Sequence, residues 1–407
     1  MTARRVRVLV VADSDSYLKW GASLLTSLPA AWDSDVVVVR NPVAPVDDQI
    51  SDAVGAGVVV ARLSMRALVS RLRDDPPDAV VLACTGPMAQ VLLARPELRE
   101  GPRPVVVAGL PGIAVPASEK AWLLRRGVDV FVVHSRRERD EAGPVNGAVN
   151  NGSRRAQVVL ARLPFLQPSQ LGGRQAAATR GAGAAANRVV FATQAKVPVH
   201  RTERTDILRA LAVLGRRRPD LDVVVKVRAR SGQAQTHHER HPYQDLWAGM
   251  LQRGEADRSE LRFATGPMAE HLACATGLMT VSSTAALEAI AADVSVLILS
   301  DFGVDAQMIN EVFVGSGLLG SLADLRSGRF HRPDPRWAER NYLHAAAADN
   351  LAEVLEALVE RRRLRGLVAR AATPATLRSR VRAIAPAPAV RAVSRARRQW
   401  QGFAKPA

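Results

Sequence analysis

The chain has 407 residues, of which 47% are apolar, so two or three domains with buried cores are expected and wholesale disorder is excluded. The formal charge is +17, but residues 361–407 hold twelve arginines, one lysine and no acid, which leaves the remaining chain nearly balanced. The basic excess therefore belongs to the C-terminal end, and no nucleic-acid partner is predicted for the main body.

Cysteine and hydropathy patterns favour a cytoplasmic protein. Cys84 and Cys274 lie far apart and form no CxxC motif, so neither a disulfide framework nor a zinc site is predicted. No segment approaches the ~18–20 consecutive apolar residues of a membrane-spanning helix.

The first half of the chain alternates short apolar runs with helical patterns. Apolar runs predict strands at 6–12, 35–39, 57–61, 79–83, 104–108, 128–134 and within 155–166. Helical periodicity lies between them, as at 64–73 and 88–93. Continuous apolar strands separated by helices are typical of a parallel sheet covered on both faces.

The second half repeats this alternation after a stretch with almost no large apolar residues, 168–187. Strands are predicted at 188–193, 221–228, 261–264, 278–282 and 294–300, and helices at 204–217, 269–275 and 284–292. We therefore predict an α/β fold of two Rossmann-like domains facing across a cleft. The predicted division is a first domain (1–167), a linker (168–187), a second domain (188–345) and a helical, arginine-rich extension (346–407).

Residues 280–291, TVSSTAALEAIA, join a buried strand to a helix. Ser283 or Thr284 would cap this helix, where first-turn amides and short hydroxyl side chains favour an anion. A capping box needs Glu or Gln three residues after the cap, so Glu288 is not placed to cap. Its carboxylate could accept two hydrogen bonds from ribose hydroxyls. The alternative is a surface glutamate on an ordinary capped helix.

Polar residues also follow the other strands of the second half. Thr193, Gln194 and Lys196 lie at the end of the strand predicted at 188–193. Lys226 and Arg228 lie at the end of the strand predicted at 221–228, and His237, His238 and His241 come after it. Gly266 follows the strand predicted at 261–264. Cations at strand ends suit a diphosphate. Adjacent histidines rarely bind one ion together, so no metal site is predicted. Ordinary strand-to-helix loops are the alternative for each stretch.

The run SSTAALEA resembles the donor-site helix of GT-B glycosyltransferases. Enzymes of the lipid A disaccharide synthase type have a similar Ser-x-Thr-Ala-x-Leu-Glu run, and bacterial sialyltransferases and capsule-sugar transferases have a Ser-Ser or Ser-Thr pair at this helix start. His241-Pro242 resembles the His-Pro motif of bacterial sialyltransferases, although about a dozen residues separate it from its strand. The usual glycine-proline after the helix is replaced by Asp293-Val294-Ser295.

The resemblance implies that the second domain binds a nucleotide-sugar and the first an acceptor. The donor phosphate would lie on Ser282, Ser283 and Thr284 near Lys226, and the ribose on Glu288. The composition, with only five lysines among 56 basic residues, is typical of GC-rich bacterial genomes, and an actinobacterial source is expected.

Catalysis by an inverting transfer needs a base that removes the proton of the acceptor hydroxyl. Asp13 and Asp15 directly follow the first strand, and His134 ends another, so these three are the candidates. The EX7E pattern of many retaining GT-B enzymes is absent, because Thr280 stands eight positions before Glu288. Neither GxGxxG nor GxxxxGK[ST] occurs in the first domain, so that domain lacks the motif of a dinucleotide-binding site and of a P-loop nucleotide-binding site.

The predicted function is a metal-independent, inverting glycosyltransferase that needs no cofactor besides its nucleotide-sugar donor. The predicted acceptor is an envelope or polysaccharide glycan, or a lipid-linked one. A sugar-nucleotide epimerase of the same fold and a non-catalytic envelope-assembly scaffold remain alternatives. The arginine-rich tail is expected either to rest on an anionic membrane surface or to be a solvated chain end.

Overall fold

The computed structural model describes residues 5–54, 59–151, 154–163, 166, 186–227, 239–371 and 374–384. Its internal contacts divide the chain into a first unit, Met1–Ala161 with Ala345–Ala407, and a second unit, Arg162–His344. The linker predicted at 168–187 lies outside the described residues except for its last two positions.

The first unit is built on a seven-stranded parallel sheet in the order β3-β2-β1-β4-β5-β6-β7. Its strands are β1 (Arg7–Ala12), β2 (Asp33–Val39), β3 (Ala61–Leu63), β4 (Ala79–Ala83), β5 (Val105–Gly109), β6 (Val130–Val133) and β7 (Gln157–Leu160). Its helices up to this point are α1 (Asp15–Leu25), α2 (Asp47–Val54), α3 (Met65–Asp74), α4 (Gly86–Leu93), α5 (Pro96–Arg99), α6 (Glu119–Leu123) and α7 (Arg136–Val149).

Both faces of this sheet are buried, as continuous apolar strands require. Along β1, Leu9 and Val11 pack into one core cluster, whereas Val8 and Val10 pack into another on the opposite face. Because successive side chains of a strand point to opposite faces, the two clusters are the two helix-covered sides of the sheet.

The second unit contains a six-stranded parallel sheet in the order β10-β9-β8-β11-β12-β13. Its strands are β8 (Arg188–Ala192), β9 (Asp222–Lys226), β10 (Arg262–Ala264), β11 (Ala275–Thr280), β12 (Ser295–Leu299) and β13 (Leu319–Gly320). Its helices are α8 (Arg201–Arg217), α9 (Tyr243–Gln252), α10 (Met268–Leu272), α11 (Ala285–Ala291), α12 (Leu322–Arg326) and α13 (Pro335–Arg340).

Both sheets have the doubly wound strand order, which confirms the predicted pair of Rossmann-like domains. The order reverses between β1 and β4 in the first sheet and between β8 and β11 in the second, and ligands of such folds bind at these switch points. Several details differ from the sequence prediction. The strand predicted at 57–61 runs over Ala61–Leu63 instead. Ala275, predicted to end a helix, begins β11 because it pairs with Arg188 of β8. The two-residue strand β13 was not predicted, since it is too short to show a pattern.

The C-terminal segment returns to the first unit. Helix α14 (Leu351–Arg365) buries Leu351, Leu355 and Leu358 against one face of the first sheet. Helix α15 (Leu377–Ile384) packs beside α4, and the Ser379 hydroxyl hydrogen-bonds Gln90. Residues 346–384, predicted as part of an extension, therefore complete the core of the first unit, because the apolar face of α14 needs a partner. Residues 385–407 lie outside the described part.

Ion pairs with two buried carboxylates fasten this segment to the first sheet. Arg362 and Arg363 donate to the Asp78 carboxylate, which lies just before β4. Before β6, Asp129 accepts from Arg103 at 2.6 Å and from Arg370 at 2.8 Å, and all three side chains are at most 6% exposed. Burial alone would raise the pKa of Asp129, but the hydrogen bonds and charges of the two arginines lower it.

None of the helices in the described ranges has both the length and the apolar composition needed to cross a bilayer.

Candidate functional site

The ends of β8 and β11 meet at the switch point of the second sheet, and Gln194 bridges them. The side-chain oxygen of Gln194 accepts a hydrogen bond from the backbone amide of Ser282 at 2.8 Å. The side-chain amide of Gln194 donates to the backbone carbonyl of Ser282 at 2.7 Å. The Thr280 hydroxyl adds a second link by donating to the Ala192 carbonyl at 2.8 Å. The structure thus brings together Gln194 and Ser282, which sequence reasoning selected separately.

The three hydroxyl residues that follow β11 have different partners. Ser282 donates its hydroxyl to the Ile309 carbonyl, and Ile309 has a φ of 60°, a strained value for a β-branched residue. The Ser283 hydroxyl, one residue before the N-cap Thr284, accepts from the amide of Ala285, the first residue of α11, at 3.2 Å. Thr284 makes no capping bond. Of the three hydroxyl groups, Thr284 therefore offers the one that the described residues leave uncommitted.

Glu288 lies one turn into α11 and is half-buried. Burial raises the pKa of its carboxyl group to about 7, and the positive charge of Lys226 opposes this shift. Lys226 ends β9, where its carbonyl accepts from both the amide and the hydroxyl of Thr193. Since β9, β8 and β11 are neighbours, Lys226, Thr193 and Ser282 lie at or just beyond the ends of three adjacent strands.

Arg204 organises this edge of the sheet and was missed by sequence reasoning. Its guanidinium is 1% exposed, forms an ion pair with Glu239 and lies 4.7 Å from the centre of the Tyr243 ring. It donates to the backbone carbonyls of Gln194, Ala195, Pro198 and His241. One sequence signal existed: Arg204 occupies the helical position three and four residues before the buried Ile207 and Leu208.

The remaining donor-side candidates are less closely tied to this edge. Lys196 is exposed, and partial desolvation together with Arg240 and other nearby arginines lowers the pKa of the half-exposed His241. Gly266 has a φ of +107°, which glycine adopts without strain. Arg228, His237 and His238 lie outside the described residues.

A buried histidine, His271, supports the loop that contains Gly266. Its Nε2 lies 3.0 Å from the Thr265 carbonyl and therefore carries the hydrogen. Nδ1 is then a buried acceptor for which the described part of the chain supplies no hydrogen-bond donor. Burial lowers the pKa of His271, so the neutral ring is favoured. Sequence reasoning did not select it.

Asp13 bridges the switch point of the first sheet. Its carboxylate, 1% exposed, accepts from both the amide and the hydroxyl of Thr85, which follows β4. Burial raises the pKa of Asp13, while the Thr85 hydrogen bonds and the charge of Arg125 oppose the shift. The carboxylate is therefore already used as an internal link between two strands.

His134 and Asp15 differ in accessibility. His134 Nε2 accepts from the Trp20 indole at 2.7 Å, so Nδ1 carries the hydrogen and donates to the Ala161 carbonyl at 2.7 Å. Both ring nitrogens are thus occupied inside the first unit. Asp15 begins α1, forms an ion pair with Lys19 at 3.1 Å and keeps 27% of its side chain exposed.

Within the ranges that the structure describes, no group of three or more His, Cys, Asp or Glu side chains is arranged to hold a metal ion.

Residues 8–358 match the family described as "Putative glycosyltransferase (DUF6716)". The chain belongs to this family. The matched range begins at the second residue of β1, includes the other strands of both sheets and ends within α14. A search of curated proteins finds no match.

Solved structures with the same fold include UDP-GlcNAc 2-epimerases. The Neisseria meningitidis enzyme bound to UDP-GlcNAc has a TM-score of 0.54 at 11% identity and covers 87% of this chain and 99% of its own. The Methanocaldococcus jannaschii enzyme has a TM-score of 0.54 at 10% identity, with the same coverage. The S. aureus MnaA–UDP co-structure has a TM-score of 0.51 at 11% identity and covers 90% and 99%. At these identities the likeness shows the fold, which is of the GT-B type.

Proposed function

We propose that this protein transfers a sugar from a nucleotide-sugar to a hydroxyl group of a glycan or lipid-linked acceptor of the cell envelope. The family to which the chain belongs supports the reaction class. The observation that carries the donor site is Glu288, a half-buried carboxylate beside the switch point of the second sheet that caps no helix and lies near the charge of Lys226.

The donor is held by three groups of the second unit in this proposal. The Glu288 carboxylate accepts hydrogen bonds from the two ribose hydroxyls, and bonds of this kind to a charged group are stronger than neutral ones. The Thr284 hydroxyl and the Lys226 ammonium bind the phosphates. Gln194 positions the backbone beneath them, because its hydrogen bonds to Ser282 hold the ends of β8 and β11 together. Arg204 supports the loop after β8 by donating to the carbonyls of Gln194 and Ala195.

The leaving nucleotide gains negative charge as the sugar departs. Lys226 and the donors at this edge stabilise that charge without a metal ion, and their positions are already fixed before reaction. UDP is the first nucleotide to test, since the N. meningitidis and M. jannaschii proteins of the same fold are named as UDP-GlcNAc epimerases. GDP, TDP and CMP follow.

The acceptor hydroxyl attacks the anomeric carbon with inversion, and Asp15 takes its proton. Of the three carboxylate and imidazole candidates, Asp13 is committed to Thr85 and His134 to Trp20 and Ala161. Asp15 keeps 27% of its side chain exposed beyond the carboxyl end of β1, although its Oδ1 is buried, and this partial exposure supports its choice as the base.

An epimerase acting on the same donor is the second candidate, because several proteins of this fold have that activity. The two reactions differ in their products. A transferase releases free nucleotide only as the sugar moves to an acceptor or to water, whereas an epimerase returns an isomeric nucleotide-sugar. Chromatography of the nucleotide products distinguishes them.

A thermal-shift and calorimetric screen with UDP, GDP, TDP, CMP and their sugar conjugates tests the donor site. We expect one nucleotide family to bind, and Glu288→Ala to weaken that binding by about 10- to 100-fold, the loss of one to two hydrogen bonds to a charged group. Glu339→Ala, an exposed glutamate on α13 of the same unit, is the matched control. Absence of any nucleotide binding, or equal affinity in the two variants, would refute the donor site.

Binding of the donor is also expected to depend on pH. Below pH 7 the Glu288 carboxyl group is mostly protonated and accepts ribose hydrogen bonds poorly, so affinity rises with pH. Between pH 6 and pH 8 the ionised fraction increases about tenfold, and Kd should fall by a similar factor. UDP-N-acetylglucosamine is a suitable probe, because its diester phosphates do not titrate in this range. Glu288→Gln should show a flat profile; an unchanged slope would assign the dependence to another group.

A further inference from the structure

The last described part of the chain presents an unusual outer surface on the first unit. We define the C-terminal strap as residues 361–371 and 374–384. It contains eight arginines and no acidic residue. Three of these arginines, Arg362, Arg363 and Arg370, are bound to Asp78 and Asp129 and fasten the strap to the sheet.

Four other arginines of the strap remain on the outside. They are Arg361, Arg365, Arg378 and Arg380, all exposed. Among the described residues none of the four forms an ion pair with a carboxylate. Arg154 lies on the same part of the first unit, because its carbonyl accepts from Arg370, and it too is exposed. The four exposed arginines of the strap therefore lie together in a stretch that contains no acidic residue.

Large aliphatic side chains accompany this charge. Leu364, Val368 and Leu377 are 73%, 67% and 78% exposed, although the strap around them is held by buried bonds. The backbone of Val368, for example, accepts from the buried Arg103 at 2.8 Å while its side chain faces outward. Exposed aliphatic groups between unpaired cations suit a boundary at which acyl chains meet anionic headgroups.

We propose that the C-terminal strap docks the first unit on an anionic membrane surface. The arginines bind lipid phosphates, and the three aliphatic side chains enter the headgroup region. The 23 residues that follow the strap add four arginines, one lysine, Trp400 and Phe403 without any acid, so the charge continues along the chain. A nucleic acid fits less well, because the described strap has no aromatic side chain for base stacking.

Sedimentation with vesicles of phosphatidylglycerol and phosphatidylcholine tests the proposal in the full chain. We expect binding that is absent with phosphatidylcholine alone and is reversed by 0.5 M salt. The variant R361Q/R365Q/R378Q should bind about 100-fold more weakly, since each basic residue near such a surface contributes about a fivefold factor. R217Q/R258Q/R336Q, which removes three exposed arginines from the second unit, is the matched control and should bind like the wild type.

Two further variants separate the strap from the chain end and from simple charge. A chain ending at Ile384 keeps every described residue and should still bind anionic vesicles, whereas L364S/V368S/L377S should bind more weakly at unchanged charge. The proposal is overturned if the shortened chain does not bind, if the strap and control variants behave alike, or if a short RNA binds while vesicles do not. UDP binding by the same variants, expected to be unchanged, reports on the donor site independently.

Discussion

Asp15→Asn is expected to lower kcat about a thousandfold while leaving the Kd for the nucleotide-sugar within twofold. A positioned general base contributes about 10²- to 10⁴-fold, and asparagine keeps the shape of aspartate but cannot accept the proton. The lost ion pair with Lys19 is partly exposed and joins residues four apart on one helix, so its removal should cost less than 1 kcal/mol.

The measurement is nucleotide release in the presence of a glycolipid acceptor fraction, together with calorimetric donor binding by the same protein. Asp47→Asn is the matched control, because Asp47 also lies in the first turn of a helix of the first unit and is 93% exposed. A kcat within threefold of the wild type for Asp15→Asn would exclude Asp15 as the base. Loss of donor binding in this variant would instead point to a defect in the structure.

Asp129→Asn is expected to destabilise the first unit by about 3–5 kcal/mol. The substitution leaves the buried guanidinium groups of Arg103 and Arg370 without their shared carboxylate, and breaking a buried pair in this way carries a cost of that size. The strap is also held less firmly, since Arg370 is one of its attachments. Urea unfolding followed by circular dichroism measures the change, with Asp75→Asn, which removes an exposed partner of Arg7, as the control.

The pH dependence of this stability has a defined sign. The folded pKa of Asp129 lies below its unfolded value near 3.9, so its contribution is present above that value and is lost as the pH falls through the folded pKa. The wild type should therefore lose its advantage over Asp129→Asn in acid, below about pH 4. A constant difference between the two proteins across that range would contradict this assignment.

The order of the strands could not be deduced from the sequence, although their number nearly could. Among the described residues there are thirteen strands, and apolar runs predicted twelve of them, although the run at 57–61 meets β3 only at Ala61. Strands buried on both faces are rich in valine and leucine, which makes them visible in the sequence. Which strands are neighbours is a long-range property. The switch points between β1 and β4 and between β8 and β11 became visible only in the sheets, and with them the bridges Asp13–Thr85 and Gln194–Ser282.

The candidate site shows the same division at the level of single residues. Glu288 could be selected because a local rule, the spacing of a capping box, left it without a helical role. Arg204 was overlooked because the carbonyl groups that it binds are distant from it in the sequence. His271 was overlooked because it supports a loop of irregular backbone, which has no sequence pattern. The shift of the Glu288 pKa to about 7 likewise depends on burial, which exists only in the folded chain.

The sequence by itself determined the class of fold, the two successive α/β halves, the location of the arginine excess and the short list of polar residues at strand ends. These are local properties, because periodicity, composition and the residues that follow each strand indicate them directly. The tertiary structure alone decided which of those polar groups are already satisfied. Hydrogen bonds to residues far away in the sequence occupy Asp13 and His134, whereas Asp15 stays partly exposed. It also decided that the C-terminal segment belongs to the first unit, because the buried carboxylates of Asp78 and Asp129 needed cations and the apolar face of α14 needed a sheet to cover.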